Sequence, residues 1–343
     1  MTIFFRLWNK ISKMDFSLIL LLSFIIVLFG SIGIHLLEPN NFPTLFEGFW
    51  WTMTTLTTVG YGDYSPSTVV GRLLGIFLFI FGIGIIGLLI SKTVDSITTF
   101  HKLKREGKLV YKKQNHYLYI TWSKKTEQAI FEILAHEPKA EIVLIDNRSV
   151  SPLENEQVHF IQGDPSDEKI LLKANILEAS RVAIFSDSSI EDPLLTDGKT
   201  LLIASAVESL AKEHKKEIHT VVEISEDRHI PKFQHIAVED FILSNDSVSL
   251  LMAKATLHPG TTNLFRQLLS KRFGNNIHIL KAPTQWHTYK DASESLLQMG
   301  ATLLAINDDM DFTSADQKRI EKGDILYIVC HDSIFENIKN DIA

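Results

Sequence analysis

The sequence predicts an α-helical membrane domain, then an α/β domain built on a parallel sheet, then a small α+β C-terminal lobe. Three observations carry this. Two long runs near the N-terminal end are almost free of charge, a polar loop containing glycines lies between them, and from about residue 115 short β-branched runs alternate with helical stretches. With 343 residues the chain has room for more than one domain.

The first run, Phe16 to Leu37, reads FSLILLLSFIIVLFGSIGIHLL and holds no formal charge beyond a protonated His35. About 20 helical residues cross a bilayer core, so it is long enough to span. The second, Leu73 to Ser91, is bracketed by Arg72 and Lys92, charges that suit interfacial anchors. The length of the first run's apolar core, and EPNNFP after it in place of a small-residue cleavage site, argue against a cleaved secretory signal. Arg6, Lys10 and Lys13 precede the first run; Lys92, Lys102, Lys104, Arg105, Lys108, Lys112 and Lys113 follow the second. The segment between carries Glu38, Glu47 and Asp63, with no basic residue before Arg72. The positive-inside rule then predicts a multi-pass cell-membrane protein with both termini cytoplasmic and the connecting segment external.

That connecting segment reads TLFEGFWWTMTTLTTVGYGDYSP. Leu45 to Leu56 mixes large apolar with small polar side chains, as a short buried helix does. The TTVGYGD that follows is irregular backbone near membrane depth, tolerated only where protein buries it or where it lines a wet cavity. Thr58-Val59-Gly60-Tyr61-Gly62 resembles the selectivity filter of potassium channels. The resemblance implies a pore domain of two spans plus a pore helix, completed by four copies of the chain. In such filters, carbonyls at the positions of Thr58, Val59, Gly60 and Tyr61 replace the hydration shell of potassium ions. Glycine takes positive φ freely, which lets successive carbonyls face inward. The Thr58 hydroxyl would add an oxygen at the inner end, Asp63 would sit at the external mouth, and Val59 and Tyr61 would pack outward near Trp50 and Trp51. No arginine repeat precedes the first span, so no voltage sensor is expected.

The second run contains Gly75, Gly82, Gly84 and Gly87. By resemblance to two-span channels, Gly82 or Gly84 marks a gating hinge; close helix packing explains either glycine equally well. Phe79, Phe81, Ile85 and Ile86 are candidates for lining the inner pore.

After Lys92 the chain turns polar and basic, as suits a linker at a membrane surface. Strands are then predicted at 117–121, 141–146, 158–162, 181–185, 219–224 and 239–243. Helices are predicted at 124–136, over SDEKILLKANI, and at 198–214, 227–236 and 246–257. Such alternation means βαβ units and a parallel sheet covered on both faces. Asp146 after the second strand, Gly163-Asp164 after the third and KANILEASRVAIFSD around the fourth are similar to the Rossmann-like domain that regulates potassium conductance, the RCK or TrkA-N domain. From His258, GATLLAI and GDILYIV, with a turn at Lys322-Gly323-Asp324, resemble its TrkA-C lobe. The expected division is therefore a pore domain at 1–98, a linker at 99–114, an RCK N-lobe at 115–257 and a C-lobe at 258–343. Cys330 reads as a buried strand thiol.

The resemblance implies a homotetramer with RCK domains paired into a cytoplasmic ring, contact with membrane lipid, no nucleic-acid partner and no enzymatic activity. Ligand binding to the ring would gate the pore. The ligand is left open among divalent cations, sodium, nucleotides and cyclic di-AMP, with Asp146, Gly163, Asp164, Asp187 and Glu223 as candidate binding residues. Two departures matter. The turn after the first strand, Thr121-Trp122-Ser123-Lys124-Lys125-Thr126, lacks the glycines that let backbone approach a pyrophosphate. Calcium-gated relatives carry acid-x-acid after the fifth strand and a carboxylate after the fourth, whereas here Glu223-Ile224-Ser225 and Ser186 stand there. Asp187, Glu191, Asp192 and Asp197 read either as a cation cluster or as a solvated acidic loop. The alternative to ligand gating is a potassium channel gated by pH, lipid or a protein partner, with the RCK domain mainly a scaffold. A transporter subunit would need more spans, and a tethered NAD-dependent enzyme would need a catalytic group the sequence does not show.

Overall fold

The structure is a computed structural model that describes residues 15–307, 309–310 and 319–342. Arg6, Lys10 and Lys13, on which part of the orientation argument rests, lie outside the described residues. The chain divides into two compact units between Leu103 and Lys104.

In the first unit, α1 (Phe16–Leu37) and α3 (Val69–Arg105) are both long and apolar enough to cross a membrane. Between them α2 (Leu45–Leu56) begins with a capping box, in which Thr44 and Glu47 satisfy each other's backbone N–H. Ile34, Phe42, Trp51, Leu56, Leu74 and Leu78 form the core of this unit. Close approach depends on small residues. A side chain on Gly48 would meet the Ser31 carbonyl at 2.5 Å, and one on Gly30 would meet Thr52 at 2.7 Å. Glu38, just past α1, is almost fully buried and accepts hydrogen bonds from the N–H and hydroxyl of both Ser67 and Thr68, at 2.6–3.1 Å. Those are groups at the N-terminal end of α3, so one carboxylate ties the C-terminal end of α1 to the N-terminal end of α3. Gly71 leaves it room, since a Cβ there would lie 2.1 Å from its oxygen.

The helix α3 is longer than the apolar run that predicts it, continuing to Arg105 through the first part of the expected linker. No glycine or proline interrupts it after Gly87 until Gly107. A π-turn at Leu78–Gly82 inserts into it.

In the second unit, β1 (His116–Ile120), β2 (Ile142–Asp146), β3 (Val158–Gln162), β4 (Ala179–Ile184), β5 (His219–Ile224) and β6 (Asp240–Leu243) form one sheet in the order β3-β2-β1-β4-β5-β6. Every pairing is parallel. Successive side chains alternate faces. Leu118 and Ile120 therefore join Val143, Ile145, Val182 and Val222 on one face, under α5 (Glu168–Lys173) and α6 (Pro193–Glu213). Tyr119, Ile142, Leu144, Val158 and Phe160 face the other way, onto Ile130 of α4 (Lys124–His136). The helix expected at 227–236 is a 3₁₀ segment, Asp227–Phe233, because Pro231 inside it cannot donate the α-helical hydrogen bond. The segment just before β1 is bound to this domain. Gly107 accepts through its carbonyl from Gln162 N–H and from Lys173 Nζ, at 3.1 and 2.7 Å, and Tyr111 is buried.

Two helices, α7 (Ser244–Leu257) and α8 (Thr261–Leu269), lead to the C-terminal lobe. There β7 (Asn276–Lys281), β8 (Thr302–Ile306) and β9 (Ile325–Cys330) pair antiparallel in the order β7-β9-β8, with α9 (Tyr289–Gln298) and α10 (Asp332–Ile342). Cys330 is buried, as its apolar run predicts.

Candidate functional site

Two places in the molecule carry unusual chemistry. The first is the loop after α2. Thr58, Gly60 and Gly62 have φ of 59°, 53° and 77°, so every second residue is left-handed. An ordinary strand points successive carbonyls to opposite sides; reversing the hand at every second residue turns them toward one side. For glycine this is cheap, but Thr58 is β-branched and bears real strain there. The N–H groups of Val59 and Gly60 both donate to the Thr54 carbonyl at the end of α2, at 3.0 and 3.1 Å. Among the described residues, no hydrogen bond is donated to the carbonyls of Val59, Gly60 or Tyr61.

The loop is held from one side. The Trp50 indole N–H donates to Asp63 Oδ2 at 2.8 Å, and its ring stacks on Tyr61 with centroids 5.8 Å apart and planes 2° from parallel. The Tyr64 hydroxyl donates to Glu47 at 3.1 Å, and that contact raises the phenol's pKa above its ordinary value. Trp51, expected beside Val59 and Tyr61, turns instead into the core against Phe42. The two candidate hinge glycines differ. A Cβ on Gly82 would lie 2.0 Å from a Leu56 methyl, whereas a Cβ on Gly84 would meet nothing within 4 Å in the subunit.

The second place is the carboxyl end of the parallel sheet. The strand order reverses between β1 and β4, and in open α/β sheets ligands bind in the crevice at such a point. Around it the candidate residues are already engaged. Asp146 accepts from the N–H of Trp122 at 2.8 Å and of Arg148 at 2.9 Å. Gly163 permits close approach of α5, since a side chain would meet Ile170 at 2.5 Å. Asp164 accepts from the backbone and hydroxyl of Ser166, which hold its carboxyl below the usual range. Burial pushes the Asp187 carboxyl up, but Lys199 at 2.6 Å and Ser189 outweigh it and hold the pKa at about 2.

Glu223 at the end of β5 is 7% exposed. Burial works against its charge, yet its pKa is lowered, because Lys125, the Ser186 N–H at 3.0 Å and Ser244 favour the carboxylate. Lys125 pairs with Glu223 and donates to Ser186 Oγ at 3.1 Å. The turn after β1 uses up donors that a pyrophosphate would need. Trp122 N–H goes to Asp146, Ser123 N–H to Thr126 Oγ1, and Thr126 N–H to Ser123 Oγ. Thr121 takes φ of 72° in this turn, a left-handed conformation that suits glycine.

The cation-cluster reading of the acidic loop is corrected. Asp197 is buried within α6, where its carboxylate accepts from Ser225 N–H and Glu226 N–H at 2.9 and 3.2 Å and pairs with His229 at 2.6 Å. Asp192 caps α6, and Asp187 pairs with Lys199. Among the described residues no group of three or more His, Cys, Asp or Glu is placed to hold a metal ion. Sequence reasoning missed Lys125, although a signal was present. Lys124 and Lys125 open a helix, where the macrodipole disfavours cations, so a nearby carboxylate was to be expected.

Comparison with known proteins adds the following. A family model described as ion channel matches residues 17–99, and one described as TrkA-N domain matches residues 122–244. The chain is 34% identical over 232 residues to the candidate potassium channel protein YugO of Bacillus subtilis, covering 66% of this chain and 68% of that one. It is 27% identical over 311 residues to the calcium-gated potassium channel TvoK of Thermoplasma volcanium, covering 88% and 87%. Among solved structures, the GsuK channel bound to NAD aligns with a TM-score of 0.48 at 14% identity, over 95% of this chain and 59% of that one.

Proposed function

The chain belongs to the prokaryotic potassium channels that join an ion-channel domain to a TrkA-N (RCK) domain, and we propose that it conducts as a homotetramer gated by ligand binding to its cytoplasmic domains. It is a membrane protein and not an enzyme. In this reading residues 1–98 are the pore, 99–114 the linker, 115–257 the RCK N-lobe and 258–343 the C-lobe, with both termini cytoplasmic. Thr58, Val59, Gly60, Tyr61 and Gly62 form the selectivity filter, with carbonyls of the first four on potassium and Asp63 at the outer mouth.

The observation that carries the filter reading is the alternating hand of the backbone at Thr58, Gly60 and Gly62, with carbonyls left without donors. One chain supplies one such strand and four are needed to surround an ion, hence the tetramer. Gly82 or Gly84 is the hinge at which α3 bends. The RCK domains pair into a ring whose shape sets the gate, and a ligand acts only by its differential affinity for the two shapes. Asp146, Gly163, Asp164, Asp187 and Glu223 rim the crevice in which it would bind.

The name of TvoK brings calcium forward as one ligand to try, although the acids of this crevice already have partners. The test is potassium flux from full-length protein in liposomes, with Ca²⁺, Mg²⁺, Na⁺, NAD(H), ADP, ATP and cyclic di-AMP offered in turn to the sensor side. Barium-blocked flux that one of them changes supports the reading. Flux that none changes, and that survives removal of all residues after 98 unaltered, refutes ligand gating and leaves pH, lipid or a protein partner. No potassium-selective flux at all refutes the filter assignment.

A further inference from the structure

At the ends of β4 and β5, Oε1 of the buried Glu223 carboxylate and the Ser186 hydroxyl oxygen converge as acceptors for a cation, while Glu223 Oε2 accepts from the Ser186 N–H at 3.0 Å. The cation seated among them belongs to the chain. Lys125 rises from the first turn of α4, after β1, and brings its ammonium to Glu223 and Ser186, so that one side chain reaches the ends of β4 and β5. Nothing in α4 favours a lysine there, since the helix N-terminus carries positive potential. Nor can the Glu223 carboxylate keep its charge so deeply buried unless it is paired and hydrogen-bonded. The neighbouring acid repeats the arrangement, Asp187 being paired with Lys199 of α6.

We propose that the Lys125 ammonium is a tethered cation that keeps this crevice in its cation-occupied shape, so that the TrkA-N domain holds the ends of β4 and β5 together without a diffusible metal ion. This deepens the gating reading above and rests on it only for its effect on flux. Sensing in this crevice then consists of drawing Lys125 away from Glu223, not of filling an empty acidic cup.

The test uses the detergent-solubilised full chain: wild type, Lys125→Ala and the Lys125→Ala/Glu223→Gln double variant, followed by thermal melting. Lys125 is half-exposed but Glu223 is buried, so removing the ammonium leaves a buried carboxylate without its cation and Lys125→Ala melts lower. Ethylammonium restores the loss saturably, and tetramethylammonium, which has no N–H to donate, does not. Calcium raises the melting point of Lys125→Ala and leaves that of wild type unchanged, and the double variant responds to neither cation. Should Lys125→Ala fail to fold, Lys125→Met keeps the aliphatic stem and takes its place. The proposal is overturned if Lys125→Ala melts with wild type, if its deficit ignores both ethylammonium and calcium, or if wild type gains as much from calcium as the variant does. In liposomes, rescue of melting by ethylammonium with flux unchanged throughout would fault the gating reading and leave the tethered cation standing.

Discussion

Replacing Glu38 with glutamine tests the clasp between the C-terminal end of α1 and the N-terminal end of α3. Although burial works against the charge, the Thr68 and Ser67 hydroxyls and N–H groups lower the Glu38 pKa from 4.5 to about 2. At 1.36 kcal/mol per unit the full shift corresponds to about 3 kcal/mol. Glu38 is 4% exposed but sits at the ends of its helices, close to water that screens part of this, so about 1–2 kcal/mol is expected. Glutamine keeps one acceptor oxygen and turns an NH₂ group toward donors. The pKa is depressed in the folded state, so the stabilisation is fully present above pH 4.5 and is lost as pH falls through about 2. Glu38→Gln should therefore melt below wild type at pH 7, in detergent with tryptophan fluorescence as the probe. The gap should narrow as both are acidified below pH 4.5. A gap of equal size at pH 7 and pH 3, or none at pH 7, would refute the reasoning.

Other perturbations follow from the same geometry. Trp50→Phe removes the indole N–H that holds Asp63 at 2.8 Å while keeping a ring near Tyr61; potassium-over-sodium selectivity in liposome flux should fall with the fold intact. Gly82→Ala should impair assembly or flux far more than Gly84→Ala, because only the first methyl would strike Leu56; equal effects would point to hinge bending at both. Asp197→Ala leaves His229 and two backbone N–H groups without their acceptor and should cost about 3 kcal/mol in urea melts of the full chain. Thr121→Gly should relieve the left-handed backbone after β1 and raise stability by about 1 kcal/mol; a loss would show that the Thr121 side chain holds the turn together.

Much of the fold was readable because its signals are local. β-branched runs such as EIVLID announce strands wherever they lie, and their order alone implies parallel crossovers. The filter-like loop was readable because glycine at alternate positions has few other uses between two spans. What sequence reasoning missed depends on distance in space. Asp197 sits among acids in sequence, yet α6 begins at Pro193 with Asp192 as its cap, five residues before the expected start near 198, and so it carries Asp197 inward to His229. Lys125 and Glu223 lie 98 positions apart, and only the sheet brings them together. Trp50 and Trp51 are neighbours with equal propensities, and their opposite fates follow from the roughly 100° between adjacent residues on a helix.

The π-turn at Leu78–Gly82 means that no single helical wheel describes α3. Accommodating one extra residue in a turn dials everything downstream back by one position, about 100° of azimuth. Phe79 and Phe81 are read on one dial and Ile85 and Ile86 on another, so a stripe drawn through all four would join faces that point different ways. The mechanical corollary concerns chain length more than side-chain chemistry. A single residue deleted within this turn would restore an unbroken α-helix and leave the faces of the stretch that follows unchanged, whereas closing the turn into α-helix with no residue removed would swing that stretch by about 100°. The register stored in that one turn thus sets where the helix delivers its far end.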